Sequence, residues 1–291
     1  MSFTYAAFTT RNLGFVTEEE QARLRAARIF VCGTGGMGGA AIQSLIRAGI
    51  GGLILADIDA FEVSNLNRQV FCTLDHIDRP KAEATRDQCL TINPEARIEV
   101  LGSEWTEHID RLIGMADVVI NGTDDLGASL LIYRTAAAAG RPVIDAYAAP
   151  LPSVYVTRPG DPAPEARLGY PTADTAWDAL NDTQRHQAFL AEATHVMLHS
   201  SSRKHIDLDL AAEVAAGRRS RMSFAPMVIS TGTLMAYEAL GLILRRPSAT
   251  DARGWFFNPY TARIERPWPA PVAALLRPLV QRQLRRMIGD G

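Results

Sequence analysis

Gly33-Thr34-Gly35-Gly36-Met37-Gly38 spaces its glycines so that a backbone can turn tightly and bring N–H groups against a phosphate. Asp57 closes the next apolar run, where a carboxylate accepts hydrogen bonds from a ribose hydroxyl. These two features by themselves predict a dinucleotide-binding Rossmann domain. The residues that follow shift the prediction. Asn65, Asn67 and Arg68 stand together in SNLNRQ, and Lys81 opens a helix after Arg79-Pro80. A hydride-transfer site needs a flat nicotinamide pocket, whereas Arg68 and Lys81 suit a triphosphate whose charge must be neutralised. Asp124 and Asp125 end NGTDD beyond another strand, where a carboxylate can hold magnesium. The alternative, an NAD-dependent oxidoreductase, shares the glycine loop and Asp57 but leaves Arg68, Lys81 and Asp124 without a role.

Residues so far apart converge only if strands carry them to one edge. Residues 28–32, 53–56 and 118–120 are short apolar runs of the kind buried on both faces of a parallel sheet. Helical patterns over 18–27, 36–49, 79–92 and 126–139 separate them, with Thr17 as an N-cap and Asn93-Pro94 as a stop. Residues 96–101 and 143–144 add strands, and 153–157 a final one pointing away from the nucleotide half. The alternation predicts an α/β fold, a doubly wound and mostly parallel Rossmann-like sheet with a C-terminal α/β extension. Ligands of such sheets bind beyond the strands' carboxyl ends, where these residues would meet.

Three segments are expected: a nucleotide-binding core over 1–158, an excursion over 159–222 serving as lid or partner surface, and a return over 223–291. The return should hold a long buried helix at 224–244, a hairpin turning at Asn258-Pro259 and a closing helix over 271–288. His195 and His199 are four apart and share a helix face, with no third metal ligand in view. Arg218, Arg219 and Arg221 read as a solvated helix end.

The 291 residues are 47% hydrophobic and 21% charged, normal for a globular chain with a sizeable core. A net charge of −2 excludes nucleic-acid binding by bulk electrostatics. Cys32, Cys72 and Cys89 are too few for a disulfide framework and form no C-x-x-C pair. No run of ~18 uninterrupted apolar residues predicts a membrane span, and the N-terminus lacks the pattern of a signal peptide. A cytoplasmic enzyme is the expectation.

From about Arg11 to Thr157 the chain resembles the ThiF/MoeB/HesA adenylyltransferases, prokaryotic relatives of ubiquitin-activating enzymes. The resemblance rests on Arg11-Asn12, GTGGMGG, LADID, SNLNRQ, RPKAE, INPEA and NGTDD, in order and at family-like spacing. It implies a homodimer that binds ATP and Mg2+ and transfers AMP to a carboxylate, releasing pyrophosphate. The substrate would be the C-terminus of a ubiquitin-like carrier protein, a peptide, or a small or tRNA-borne carboxylate. It also implies nucleotide contacts from Gly33, Gly35, Gly36, Gly38, Asp57, Asn65, Asn67, Arg68 and Lys81, with Lys81 stabilising charge on the α-phosphate. Asp124 would hold magnesium, and Arg11 would reach the neighbouring subunit's phosphate site. This sequence departs from the family in several places. Asp125 replaces a common Asn, no zinc-binding C-x-x-C pairs are present, and no cysteine follows residue 89, so a covalent acyl-cysteine step is not expected.

Overall fold

A computed structural model describes residues 3–288. Helices Tyr5–Thr9 (α1) and Glu18–Ala26 (α2) precede strand Arg28–Cys32 (β1). Strand and helix then alternate through Gly36–Arg47 (α3), Gly52–Ala56 (β2), Lys81–Ile92 (α4), Arg97–Leu101 (β3), Ile109–Met115 (α5), Val118–Asn121 (β4), Leu126–Ala138 (α6) and Val143–Asp145 (β5). After Ser153–Thr157 (β6) come Pro164–Leu168 (α7), Asp182–His199 (α8), Leu208–Ala215 (α9) and Ala225–Leu244 (α10). Trp255–Asn258 (β7), Arg263–Glu265 (β8) and Ala270–Ile288 (α11) finish the described chain.

The strands form one sheet in the order β3-β2-β1-β4-β5-β6-β7-β8. The five from β3 to β5 pair in parallel, and β6, β7 and β8 add on antiparallel. The side-chain alternation of β1 shows why its apolar run has no polar break. Ile29 and Val31 pack under α3, α4 and α10, while Phe30 and Cys32 enter the opposite layer with Trp105 and α5. The strand order reverses between β1 and β4, so the crevice beyond their carboxyl ends is the ligand position of this topology. At the entry to α2, Thr17 accepts from the Glu20 backbone while Glu20 reaches back, a capping box that starts the helix where the acidic run begins.

One expectation, that of a long buried helix at 224–244, needs correction. By length and mean hydropathy (1.6) α10 could cross a membrane, but Ser230, Thr231 and Glu238 interrupt its apolar run, as a packed core helix allows. Here it lies against α3, with Gly232 so close that any side chain would strike Met37 and Ala40. It is also not buried throughout: Met235, Ala236 and Ala239 enter the core while Ile229 and Tyr237 stay exposed. One stripe of a helix suffices for packing. The C-terminal hairpin extends the main sheet through the pairing of Ser153 with Phe256.

Residues 159–222 hold three helices and dock on the carboxyl edge of the sheet. Arg134 on α6 binds Glu165 at 2.7 Å and the Thr172 and Thr175 carbonyls at 2.9 and 2.8 Å. Arg185 on α8 binds Asp125 at 2.7 Å, and Glu192 accepts from the Ala148 N–H at 3.0 Å.

Candidate active site

The glycine loop is folded by contacts within the protein. Gly33 has φ +87° and lies so close to Gly122 and Thr123 that a Cβ would overlap their backbone. Gly33 N–H donates to the Ala56 carbonyl at 2.8 Å and Gly122 N–H to that of Cys32 at 2.7 Å, which pins the ends of β1, β2 and β4 together. The Asp57 carboxylate accepts from Thr34 N–H at 2.7 Å, the Thr34 hydroxyl at 3.0 Å and Asp59 N–H at 3.0 Å. Asp57, directly after β2, therefore organises the loop. Gly36 answers a packing demand too, because a side chain there would meet Val228 of α10 at 2.7 Å. Gly35, at the head of α3, faces the buried side chain of Gln69. The Gln69 Oε1 is buried and has no hydrogen-bond partner, so it is an acceptor held ready beside the loop. Its position at the end of SNLNRQ was the only sequence signal for it.

The cations stand on the far side of the loop. Pro80 bridges Ala60, and the Lys81 N–H donates to the Asp59 carbonyl at 2.8 Å, which starts α4 beside the end of β2. The Lys81 side chain is only 10% exposed, and its ammonium binds the 62%-exposed Asp59 carboxylate at 2.8 Å. A buried lysine with one solvated partner can exchange that partner for a phosphate. Arg68 is half-buried and turns back on its own segment, donating to the Ser64 carbonyl at 2.8 Å and Asn67 Oδ1 at 3.0 Å. Asn65 is buried and caps the turn, accepting from Glu62 N–H at 3.2 Å, so in this arrangement its amide serves the backbone. Asn67 reaches the Ser223 carbonyl at 3.5 Å, linking this segment to the end of the excursion. Cys72 lies beneath, with burial raising its thiol pKa against the pull of Lys81 and Arg68.

At the end of β4 the two acids separate. Asp124 is exposed and makes no hydrogen bond or ion pair among the described residues. Asp125 caps α6 through the Ala128 N–H at 2.7 Å and holds Arg185. That leaves Asp124 the freer ligand. Asn121 instead points into the core and donates to Ser129 and Asp145 at 2.9 and 2.7 Å. Asp145 also accepts from Tyr133, Tyr155 and the Ala146 N–H, and burial pushes its pKa up to about 7 despite these donors. Sequence reasoning did not single out Asp145, because an acid ending a short strand gives no local sign of its partners.

Arg11 is not brought to this site by its own chain. It lies exposed in a turn anchored by Asn12, which donates to Gln21 and the Ala48 carbonyl, and has no partner among the described residues. His195 and His199 are buried and meet edge to face with ring centres 4.4 Å apart. No group of three or more His, Cys, Asp or Glu side chains is placed to hold a metal among the described residues.

The chain is 34% identical over 129 residues to the sulfur carrier protein ThiS adenylyltransferase of Escherichia coli, covering 44% of this chain and 51% of that protein. It is 32% identical over 130 residues to the SAMP-activating enzyme E1 of Haloferax volcanii, covering 44% and 48%. The chain thus spans about half the length of the curated relatives it matches. Among solved structures, E. coli MccB with ATP superposes with a TM-score of 0.61 at 19% identity, covering 85% of this chain and 66% of that one. PaaA gives 0.60 at 18% identity, covering 92% and 74%. At these identities the superpositions speak for the fold. A sequence model of the ThiF family matches residues 9–272, a span that includes the glycine loop, the lysine at the head of α4, the NGTDD strand end and the docked excursion; the chain belongs to that family.

Proposed function

We propose that the protein is an ATP-dependent adenylyltransferase that activates a carboxylate as its acyl-adenylate. The observation that carries this reading is Lys81, mostly buried at the head of α4 and paired only with the solvated Asp59. The oxidoreductase alternative leaves this cation without an assigned role. In the proposed reaction a carboxylate oxygen attacks the α-phosphorus, and the bond to the bridging β-phosphate oxygen breaks. Pyrophosphate leaves with that electron pair. The nucleophile is already ionised at neutral pH, so the site needs alignment and charge neutralisation rather than a base. The loop N–H groups at the start of α3 hold phosphate, and Gln69 and Asp57 offer acceptors to the nucleoside. Lys81 leaves Asp59 for the α-phosphate, and Arg68 unfolds from Ser64 toward the leaving phosphates. Bound Mg2+ supplies neutralisation of the triphosphate oxygens. The unpartnered Asp124 carboxylate fits it, since Mg2+ needs only one or two protein carboxylates beside the phosphates.

A homodimer is part of this reading, supported by the exposed Phe224, Ile229 and Tyr237 along α10 and by Arg11, which has no work in its own subunit. The name of the E. coli relative, a sulfur carrier protein adenylyltransferase, favours a small carrier protein's C-terminus as the carboxylate. A peptide, small or tRNA-borne carboxylate is the second choice. Residues 159–222 then form the lid over the acceptor side, and the three buried free cysteines suit a cytoplasmic setting. Calorimetry with ATP–Mg and with NAD, followed by pyrophosphate exchange with candidate carboxylates, tests the proposal. Tight NAD binding without ATP binding would end it.

A further inference from the structure

The excursion carries a charge that its own chain does not answer. The Nε, Nη1 and Nη2 atoms of Arg167, in the last turn of α7, are all buried without a well-formed hydrogen bond, their one polar neighbour being the Tyr147 hydroxyl, which already donates to the Arg253 carbonyl. The guanidinium carbon lies 5.3 Å from the centre of the Tyr155 ring and 5.9 Å from that of Tyr147. Both rings are buried and stack at 4.6 Å. On the same Tyr147 ring, at 4.7 Å, sits the buried His195, whose Nε2 also lacks a partner. Each nearby acid is committed elsewhere. Asp145 accepts from Asn121, Tyr133, Tyr155 and Ala146, Glu192 from Ala148, and Glu165 from Arg134 and Thr172. A guanidinium keeps its charge at any working pH, and stacking on aromatic faces leaves its five N–H donors unmatched. Burying such a group without a counter-charge is costly, so it is the signature of a site completed by a ligand.

The geometry also says which part of a ligand this is. Tyr155 on β6 pairs with Asp145 on β5, and β5 and β6 are the second and third strands from β1. At ~4.8 Å between strands, this places the tyrosines about 10–14 Å from the glycine loop. A carboxylate attacking the α-phosphorus cannot also reach Arg167. We propose that Arg167 receives a second carboxylate of the substrate, one that is not adenylated, beside the Tyr147 and Tyr155 rings. The fork of the guanidinium matches a carboxylate through two parallel bonds. His195 offers a further polar contact, and the tyrosine rings exclude water. Arg167 is thus a specificity-determining residue of the proposed adenylation. The carboxylate could belong to a free dicarboxylic acid or to an acidic side chain near the end of a peptide.

Binding can be read without ATP, which keeps this test separate from that of adenylation itself. The full chain is titrated with glutarate against glutaramate, and with hexapeptide pairs differing by Glu or Gln at one of the last four positions. Arg167 should favour the acidic member of either the small-molecule arm or one peptide pair by about 10- to 100-fold, the worth of a charged hydrogen-bonded contact. The responding arm tells which source supplies the group. Arg167→Gln should erase that preference while ATP affinity stays unchanged. A second variant, Arg167→Met, removes the buried charge and should leave the ligand-free melting temperature unchanged or raised. No acid preference in any pair, a preference that survives Arg167→Gln, or a clear fall in melting temperature for Arg167→Met overturns the proposal. The last result would mean that the guanidinium is already paired within the chain.

Discussion

Replacing Lys81 separates a catalytic from a structural role, because the two contributions differ in size. Its partner Asp59 is 62% exposed, so water can resolvate that carboxylate once the ammonium is gone. The pair is therefore worth no more than ~1 kcal/mol of stability. The stem is another matter. Lys81→Ala deletes three mostly buried methylenes, about 2 kcal/mol at ~0.8 kcal/mol each. Lys81→Met keeps a stem of nearly the same length and loses only the pair. The catalytic role should not distinguish the two variants. Removing a preorganised charge-stabilising group typically costs ~10²–10³ in rate, or about 3–4 kcal/mol of transition-state stabilisation. Both variants should lose that much pyrophosphate exchange. Lys81→Met should stay within a few degrees of the wild-type melting temperature, since ~1 kcal/mol moves it by roughly 2–4 °C in a chain of this size. Lys81→Ala should melt lower while being no less active than Lys81→Met. If Lys81→Met keeps exchange within threefold of wild type, Lys81 does not stabilise the transferring phosphate. If activity follows melting temperature across both variants, its role is structural.

Three further outcomes are expected. In an equimolar mixture of the inactive Arg11→Ala and Lys81→Ala proteins, activity should partly return if Arg11 serves the neighbouring subunit, because one mixed site is intact; a fully active monomer in sedimentation would refute the composite site. Cys72→Ala should form full product, since burial raises the Cys72 pKa, pushes Cys89 up to about 12 and raises Cys32 far beyond its usual range; a thiol-sensitive adduct on wild type that vanishes in the variant would contradict this. Stability should fall as pH drops from about 6.5 toward 4.7, with the sign set by three buried groups. Burial, aided by nearby cations, holds His195 at about 2 and His199 at about 4, so the unfolded chain takes up two protons that the fold refuses. Asp145, pushed up to about 7, works the other way, because the folded chain keeps a proton the unfolded one gives up. The two histidines outweigh the one acid only slightly at the top of this window and by on the order of 1 kcal/mol per pH unit near pH 5. Urea midpoints measured across that window check it, and a flat or rising profile would be the wrong sign.

Local patterns were enough for the centre of this protein. The apolar runs of β1, β2 and β4 can only be buried on both faces, and the capping box at Thr17 starts α2 within a residue of where its acidic run suggests. The glycine loop was equally legible, because a strand, close-spaced glycines and a helix leave the backbone few alternatives. The RPKAE motif after it marks Lys81 as the head of a helix. Other features depend on groups far apart in the chain. Gly36 is small because Val228 of α10 lies against it, and Asp125 became a cap and an anchor for Arg185 rather than a second free acid beside Asp124. Arg134 and Arg185 look like ordinary surface charges in the sequence, yet they dock the excursion on the sheet edge. Arg167 and Asp145 are the sharpest cases. Their chemistry comes from burial and from which donors and acceptors remain unmatched, and both are settled only when α7, α8 and β6 close over them. Periodicity records which face of an element avoids water, but it does not say which distant element covers that face. That choice is made by packing, and packing decided the surroundings of these two charges.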